Sequence, residues 1–526
     1  MSVSPSYPGI YIQEVPSSSH AIVPAPTSIA AFVGYSHPFK TPVVNQAIRL
    51  FSFADYVANF GGLFASGLID ASLPRAVYQF FLNGGSTAYV VGLAPGLVTS
   101  GGTVRFGAGG VQFTGATSSG GVTFTALEPT DVIPMTVNVT NVRNAGATFD
   151  AVITYGSRVE TFRGLQLGAA NASSPDKVIN GVSALVTAAP TAAAYGASIS
   201  KQSVSLTYNA VAAGVVTGFI PGDFVPSSGG GVFDANSSLD NVEIFNLLIV
   251  PGVTDNLIVS AALAFAERKR AFAIVDPPPQ APAVGIAAPL SIQEWMTGLG
   301  GSSGYSLPRS QNAALYFPYL NSTDPVTGRV IPMPPSGFVA GVYAATDASR
   351  GVWKAPAGLA TTVLNTSGPV PSGVMNDPQQ GVLNLDSVNC LRTFSGIGTV
   401  VWGARTTVAN NQAFAQSMYV PVRRMTLFIE QTLLANLRWV VFEPNDEPLW
   451  AAIRSSIEAF MLSLFRQGAL QGATPSQAFQ VKCDATTTTP TDQLNGIVNI
   501  VVAFAPLKPA EFVIVQIAQL AGQTAT

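Results

Sequence analysis

The last hundred residues place the strongest constraint on what this chain can fold into. They contain a predicted helix at Arg423–Val441 and a second that ends at Gly468, followed by apolar strands at Gln477–Cys483 and Ile497–Phe504. A third predicted strand, Ala510–Ile517, leads into a polar tail. Because a few short strands need further partners to form a stable sheet, this segment has too few partners in its own chain. We expect neighbouring molecules to complete it.

The second of these helices is well marked at its ends and along one face. Asn445 or Asp446 is positioned to cap it, Pro448 lies where a missing N–H costs least, and Gly468 follows its last turn. Apolar residues recur at intervals of four, four, three and four: Leu449, Ile453, Ile457, Phe460 and Leu464. This spacing predicts a helix face packed on a core.

Charged residues are scarce. They make up 10% of the 526 residues, against roughly 25% in an ordinary soluble domain, and the mean hydropathy is positive. The 50 glycines and 38 prolines interrupt the apolar runs, so no membrane-spanning helix is predicted. A net charge of −3 argues against a general nucleic-acid binder. We therefore expect a soluble protein that buries much of its surface in an assembly.

The cellular compartment follows from the first residues and the cysteines. Residues 1–6 lack a basic and an apolar region, so no secretory signal is expected. Cys390 and Cys483 lie in no C-x-x-C motif, and we expect two reduced, buried thiols rather than a disulfide. Synthesis and assembly in the bacterial cytoplasm are the resulting prediction.

The remaining chain predicts a multi-domain α/β protein. Apolar strands alternate with helices, which implies parallel pairing with helices on both faces. The predicted core strands are Ser28–Gly34, Thr87–Gly92, Phe245–Pro251, Ala271–Asp276 and Ala313–Pro318, and the predicted core helices are Leu68–Asn83, Thr254–Lys269 with Thr254 as cap, and Ser291–Leu299. Residues 321–378 are expected to be rich in loops because of their prolines.

The predicted division has five parts. They are an N-terminal arm of residues 1–26, an α/β core of residues 27–95 and 236–384, an inserted β-rich domain of residues 96–235, an α+β C-terminal domain of residues 385–506, and a C-terminal arm of residues 507–526. The insert shows short alternating apolar pairs such as Val122/Phe124 and Val137/Val139 between glycine-rich turns. A long flexible excursion is the alternative for the insert.

Reactive residues argue against an enzyme. The chain has two histidines, His20 and His37. Gly300–Gly304 matches the G-x-S-x-G pattern with Ser302 as nucleophile, but no histidine follows to accept its proton. An α/β hydrolase therefore remains only a remote alternative, which labelling of Ser302 would revive. The dipeptide Gly-Lys is absent, so there is no phosphate-binding P-loop, and no cofactor or metal is expected.

Charges are concentrated between Arg423 and Leu470. Five arginines and five acidic residues lie there. Glu443, Asp446 and Glu447 stand at a helix start, where acids stabilise the helix dipole, while Arg454 and Glu458 are spaced as an i,i+4 pair. The face that carries them is either an ordinary solvated face or a polar surface that meets a partner through complementary charge.

Several motif-length segments resemble the contractile tail sheath family, the outer cylinder of phage tails and related injection machines. They are Tyr7–Pro16, Ser336–Asp347, Gly351–Gly358, Asn389–Phe394, Val401–Thr406 and the region 419–518. The resemblance covers most of the chain outside residues 96–235. It implies a middle domain with a subtilisin-like, non-catalytic fold.

The resemblance also implies partners and a mechanism. Six copies would form a ring, and rings would stack helically around an inner tube protein, with baseplate and terminal cap proteins at the ends. The particle would contract, driven by contacts between subunits, while flexible linkers around Pro16–Pro26 and Pro506–Pro509 let the subunits rotate. The assembled sheath would belong to a phage virion tail, to a phage-derived bacteriocin, or to an extracellular or membrane-anchored injection system.

Site residues follow from the same resemblance. The inter-subunit strand donors would be Tyr7, Ile10, Tyr11, Ile12 and Val15 of the first arm and Phe512, Val513, Ile514, Val515 and Ile517 of the last. The acceptors would be Phe479, Val481, Val498, Ile500 and Val502. A C-terminal helix, Leu449–Gln467, would face the tube through Arg454, Glu458 and Arg466. The motifs leave open which machine the chain belongs to, and a β-rich surface adhesin is a further alternative that the expected lack of a secretion signal disfavours.

Overall fold

The structure, a computed structural model, describes residues 20–94, 98–99, 102–103, 108–112, 121–144, 148–167, 171–190, 201–206, 219–279, 292 and 307–517. These residues form two compact units. The larger comprises Thr27–Ser349 and Pro356–Met418, and the smaller Met1–Pro26, Arg350–Ala355 and Tyr419–Thr526, each as far as it is described. Within the described ranges, no helix combines the length and the apolar character that crossing a bilayer requires.

An eight-stranded sheet organises the larger unit. Six parallel strands lie at its centre and one antiparallel strand lies at each edge. In spatial order the strands are Ala47–Leu50, Ala88–Leu93, Ala30–Tyr35, Leu247–Ile249, Phe272–Val275, Ala313–Phe317, Val388–Phe394 and Gly398–Trp402. All six residues of Ala30–Tyr35 are buried, as expected for a parallel strand covered on both faces. The five predicted core strands are confirmed, with ends shifted by one or two residues.

Helices pack on this sheet. They are Phe53–Phe60, Ser72–Leu82, Asn256–Arg268, Ser336–Arg350 and Asp377–Leu385, with a short helix at Pro221–Phe224. Asp255, rather than the predicted Thr254, caps one of them and accepts hydrogen bonds from the N–H groups of Leu257 and Ile258. Of the predicted helix Ser291–Leu299, only residue 292 lies within the described part of the chain.

The expectation that residues 321–378 are rich in loops holds only in part, since about half of the stretch is helix or strand. This stretch contains Val330–Met333, which pairs with Leu320–Thr323 in a small sheet completed by Gly368–Pro369, and the fifteen-residue helix Ser336–Arg350. Eleven residues of this helix are buried. A Cβ at Gly337 would lie 2.5 Å from the Cα of Ala76, so the two helices pack with their backbones in close approach. Glycine and alanine at such a contact give no amphipathic pattern in the sequence.

Antiparallel sheets form the inserted region. One sheet has the order Arg158–Gln166, Thr148–Tyr155, Met135–Arg143, Gln202–Leu206; a second has Val186–Pro190, Gly121–Ala126, Ala108–Gln112; and Val98–Thr99 pairs with Gly102–Thr103. A short helix, Pro175–Ile179, packs beside them. Val122, Phe124, Val137 and Val139 are buried in one core cluster, which confirms the strand prediction at these pairs.

A charge cluster around the buried Glu128 and His37 joins the insert to the core. Glu128 accepts hydrogen bonds from His37 Nε2 at 2.9 Å and from Arg158 Nη1 at 2.7 Å, and the ammonium of Lys40 contacts the same carboxylate. His37 Nδ1 accepts from the N–H of Phe39, so the proton resides on Nε2. Burial lowers the pKa of His37. Burial alone would raise the pKa of Glu128, but the hydrogen bond from His37 and the ammonium of Lys40 outweigh it and lower the pKa to about 2.

The smaller unit is built around two helices, Val420–Asn436 and Glu447–Arg466. Shorter elements follow along the chain: the 3₁₀ turn Arg438–Val440, the helices Pro475–Ala478 and Pro490–Leu494, and the strands Phe479–Lys482 and Val501–Phe504. The predicted helix face Leu449, Ile453, Ile457, Phe460 and Leu464 is buried. Asp446 caps the second helix by accepting from the N–H of Glu447, which resolves the two predicted caps in favour of Asp446.

Two domain limits differ from the compact units. The predicted C-terminal domain begins at residue 385, yet Val388–Phe394 and Gly398–Trp402 extend the eight-stranded sheet and the smaller unit starts again at Tyr419. Likewise, Phe224 and Val232 belong to the main core cluster, although the predicted insert runs to residue 235. An edge hairpin carries no sequence signal for which sheet it joins. The five-part division as a whole stays a prediction.

The Glu128 cluster predicts an acid-sensitive stability. Because its folded-state pKa is lowered, Glu128 contributes stability that is fully present above pH 4.5 and is lost as the pH falls through about 2. We expect about 3 kcal/mol of unfolding free energy to disappear over that window, and Glu128→Gln to abolish this part of the pH dependence. Urea unfolding at several pH values measures it, with the exposed Glu458→Gln as control; equal pH profiles for the wild type and Glu128→Gln would contradict the assignment.

Candidate assembly surface

The two C-terminal strands form an antiparallel ribbon. Phe479–Lys482 pairs with Val501–Phe504, and Val481 stands opposite Val502. The strands are shorter than the predicted Gln477–Cys483 and Ile497–Phe504, because Pro475–Ala478 forms a helical turn and residues 497–500 are in no strand. We call this pair the C-terminal ribbon.

One face of the C-terminal ribbon packs on the core of the smaller unit. Val481 and Cys483 are buried there, and Phe479, Val502 and Phe504 are partly buried against the same cluster. Of the predicted acceptor residues, Phe479, Val481 and Val502 lie in the ribbon. Val498 and Ile500 instead lie just before its second strand and pack on the same core. The ribbon therefore packs against the helices Val420–Asn436 and Glu447–Arg466, which share its core cluster.

The edges of the C-terminal ribbon are open. Within the described part of the chain each of its strands has one strand partner, so each presents one edge without a ladder. Lys482 is the only charged residue of the two strands. Open edges with so little charge and no proline are templates for pairing with a further strand.

A run of exposed apolar side chains follows the ribbon. Phe512, Val513, Ile514, Val515 and Ile517 are between 72% and 92% exposed, and residues 511–517 are assigned neither helix nor strand. Glu511 Oε2 accepts a hydrogen bond from the hydroxyl of Tyr419 at 3.1 Å, which ties the start of the run to the smaller unit. Consecutive apolar positions of a strand point to opposite faces, so this segment would need cover on both faces. We call residues 511–517 the C-terminal segment.

The N-terminal donors Tyr7, Ile10, Tyr11, Ile12 and Val15 lie outside the described residues. The continuation of the arm is described and is fixed to the smaller unit. Asn436 exchanges two hydrogen bonds with the backbone of Val23, at 2.9 and 2.8 Å, and Thr432 accepts from the N–H of Ala25. The ring of His20 stacks on Trp439 at 3.9 Å. Residues 20–25 are thus held along the helix Val420–Asn436, so a flexible linker through Pro26 is not what the structure shows.

The candidate tube-facing residues do not behave alike. Glu458 and Arg466 are exposed, and neither has an ion pair within the described ranges. Arg454 donates from Nη1 to the carbonyl of Cys483 at 2.7 Å and pairs with Glu447 at 3.5 Å. The expected pair Arg454–Glu458 is therefore wrong, since the guanidinium turns toward the helix start and the end of the ribbon's first strand.

Residue types that could act in catalysis make structural contacts where the structure describes them. Cys390 and Cys483 are buried free thiols, as predicted, and Ser302 lies outside the described residues. No sequence pattern indicated the buried pair Asp276–Ser336: the Ser336 hydroxyl donates to the Asp276 carboxylate at 2.6 Å, and the Ser336 N–H donates to it at 2.8 Å. Burial raises the pKa of Asp276 to about 6. Neither histidine bonds to this pair, because His37 is bound to Glu128 and His20 is stacked on Trp439.

The contacts of Arg454 predict that its replacement lowers stability, unlike replacement of the exposed Glu458 or Arg466. Arg454→Met keeps the apolar stem but removes the bond to the Cys483 carbonyl, and we expect a loss of about 1–2 kcal/mol of unfolding free energy. Arg466→Met removes an exposed charge and should change stability by less than about 0.5 kcal/mol. Chemical denaturation of the unassembled chain compares them, and equal effects would show that the ribbon does not depend on Arg454.

Comparison with known proteins agrees with this architecture. The family model of the phage tail sheath protein central domain matches residues 229–407, and that of the phage tail sheath C-terminal domain matches residues 411–519. Together they span more than half of the chain. The boundary between them falls after the edge strand Gly398–Trp402, in keeping with a smaller unit that starts again at Tyr419.

Curated relatives match over part of their length. A putative prophage major tail sheath protein of Pseudomonas aeruginosa is 26% identical over 279 residues, which cover 52% of this chain and 65% of that protein. The tail sheath protein of Vibrio phage KVP40 is 24% identical over 201 residues, 37% of this chain and 28% of that protein. The chain thus spans between about a quarter and two thirds of the length of these relatives.

Solved structures match over nearly the whole chain. The sheath of an extracellular contractile injection system, the PVC sheath complex in its contracted state, has a TM-score of 0.56 at 22% identity and covers 98% of this chain and 99% of its own. The contracted helical sheath of the anti-feeding prophage gives 0.55 at 22% identity, covering 98% and 100%. The sheath tail protein from Desulfitobacterium hafniense gives 0.52 at 14% identity, covering 95% and 100%. The shared fold and the two domain matches together establish that this chain belongs to the contractile tail sheath family.

Proposed function

We propose that the chain is a structural subunit of a contractile sheath. In this proposal six copies form a ring, the rings stack helically around an inner tube, and the sheath shortens to drive the tube through a target envelope. One observation carries the proposal: an exposed apolar C-terminal segment and an open C-terminal ribbon lie in the same compact unit. The segment of one copy could supply the strand that an open edge of the ribbon in a neighbouring copy lacks.

Strand addition is the proposed contact. The C-terminal segment of one subunit, and residues Tyr7–Val15 of another, would each add a strand to the C-terminal ribbon of a third. Backbone hydrogen bonds would supply affinity, and alternate side-chain pockets would fix the register. The ribbon's packing on the helix Glu447–Arg466 supports this role, since an acceptor has to keep its shape before the donor arrives.

Energetic magnitudes explain why such a contact belongs to a lattice. Burying five large apolar side chains contributes roughly 8–15 kcal/mol, while ordering the seven residues of the C-terminal segment costs about the same. One donated segment therefore holds weakly by itself. In a lattice each subunit gives and receives several strands, so later contacts form at a high effective concentration and the whole becomes stable.

Contraction would follow from subunit packing rather than from chemistry. The proposal assigns the energy of firing to interfaces between subunits that form in the shorter state, with no nucleotide consumed. The core, for which the family suggests a subtilisin-like fold, would serve as scaffold. The remote hydrolase alternative is disfavoured by the two histidines, since His37 is bound to Glu128 and His20 to Trp439.

The partners and the location of the particle belong to the same proposal. An inner tube, a baseplate and a terminal cap would complete it, with assembly in the host cytoplasm. The curated relatives are described as a phage and a prophage tail sheath protein, and the similar structures include extracellular injection sheaths. A phage tail and an injection system are therefore the two forms that the proposal allows.

The C-terminal segment gives the direct test. Val513→Asp with Ile514→Asp places a carboxylate on each face of the donated strand, and we expect a folded chain with at least a tenfold loss of sheath-length particles by electron microscopy. Leu494→Asp is the matched control, because Leu494 is 89% exposed and lies outside the segment. Normal particles from the double variant would exclude strand donation by this segment.

The tube contact is proposed for the exposed charges of the helix Glu447–Arg466. Glu458→Lys with Arg466→Glu reverses both without touching the Arg454 bond, and we expect sheaths that assemble but no longer retain the tube. Arg438→Glu, a charge reversal outside that helix, serves as control. Co-purification of tube with sheath measures the effect, and full tube occupancy in the double variant would discard this helix as the tube-facing element.

A further inference from the structure

Two helices of the larger unit present apolar faces to solvent. The first is Phe53–Phe60, which directly follows the edge strand Ala47–Leu50. Tyr56 and Phe60 are buried beneath it, while the opposite face consists of Ala54, Val57 and Ala58, all exposed. Phe51, at the entry to the helix, is 61% exposed. A helix face bordering water normally carries charges, and this one carries none.

The second helix, Asp377–Leu385, lies at the other edge of the same sheet. Its Gln380 donates from Nε2 to the carbonyl of Trp402 in the edge strand Gly398–Trp402 at 3.1 Å. Leu383 is its buried residue. Its outer face carries Pro378, Gly381, Val382 and Leu385, all exposed, at the i, i+3, i+4 and i+7 spacing of a packing face. Leu385 alone is 71% exposed.

The two faces suit each other. Ala58 on one and Gly381 on the other are small enough to let helix backbones approach closely, while Val57 and Leu385 supply bulk. Each rim carries charges of both signs: Arg49, whose guanidinium lies over the ring of Phe51 at 5.0 Å, and Asp55, which accepts from the N–H of Phe51, stand at one, and Asp377, 85% exposed and paired with Arg392, stands at the other. Opposite charges at the rims would fix orientation more than affinity.

We infer that these faces meet between neighbouring copies of the chain, the helix Phe53–Phe60 of one against the helix Asp377–Leu385 of the next. Because the faces differ and lie at opposite edges of one sheet, the contact is head-to-tail, the type that generates rings or helices rather than closed dimers. The inference rests on the proposed sheath function and adds a lateral contact between the larger units, separate from strand exchange.

The size of the faces decides when the contact forms. Two helices of two turns each bury on the order of a few hundred Å² per side, well below the roughly 800 Å² per partner of stable complexes. The contact therefore does not hold two free subunits together. It forms where the lattice already places the copies side by side.

Cysteine cross-linking in assembled particles tests the contact. Val57→Cys with Leu385→Cys is treated with a short bismaleimide, the native cysteines being buried. We expect a ladder of covalent oligomers at least tenfold stronger than from the control pair Val57→Cys with Val182→Cys, whose second site is 71% exposed on the insert. Dispersed monomers should give no ladder.

Each outcome decides something. Particles without a ladder, whose cysteines all react with a monofunctional maleimide, overturn the contact but leave strand exchange intact. A parent chain that forms no particles overturns the proposed function and this contact with it. If the cysteine pair itself blocks assembly, Val57→Lys and Leu385→Glu decide instead. Each alone should impair particle formation and the two together should restore it, and a double variant no better than the singles overturns the contact.

Discussion

Apolar side chains that the described part of the chain leaves uncovered are the constraint on which the rest of this structure depends. Phe512 to Ile517 expose five large apolar side chains in six positions, at a cost in water of the order of 25 cal/mol for each Å². Covering such a segment with another surface would recover this free energy. The C-terminal ribbon, with its open edges, is a surface of the right kind in the same unit. The proposed lattice follows from these two incomplete parts.

In the proposed strand addition the C-terminal ribbon would be the acceptor, and several contacts hold it in place within the smaller unit. Val481 and Cys483 fix the C-terminal ribbon to the core, and Arg454 bonds the end of its first strand to the long helix. The N-terminal arm is fastened from His20 onward through Trp439 and Asn436. Preorganising the acceptor reduces the ordering cost to that of the donor alone, which is about equal to the free energy that burial of its side chains contributes.

The core strands could be predicted from sequence because a strand buried on both faces is a continuous apolar run, as at Ala30–Tyr35. The helix Ser336–Arg350 could not, since its Gly337 contact requires small residues that produce no period. Sequence spacing could not show whether Arg454 pairs with Glu458 or with Glu447, and in the structure its partner is Glu447 at the helix start. The two strands of the C-terminal ribbon were predicted to within a few positions, whereas Glu128, which joins residues far apart in sequence, left no local signal.

The positions of the few charged residues explain what their scarcity means for assembly. Among the buried acids of the larger unit, Glu128 is paired with His37, Lys40 and Arg158, and Asp324 with Arg75. On the surface of the larger unit, the outer faces of the helices Phe53–Phe60 and Asp377–Leu385 carry no charged residue. Contacts made through such faces and through backbone pairing are little screened by salt. The specificity of these contacts has to come from shape, register and the few rim charges. In a lattice of many identical contacts, each contact can be weak and easily reversed while the whole remains stable.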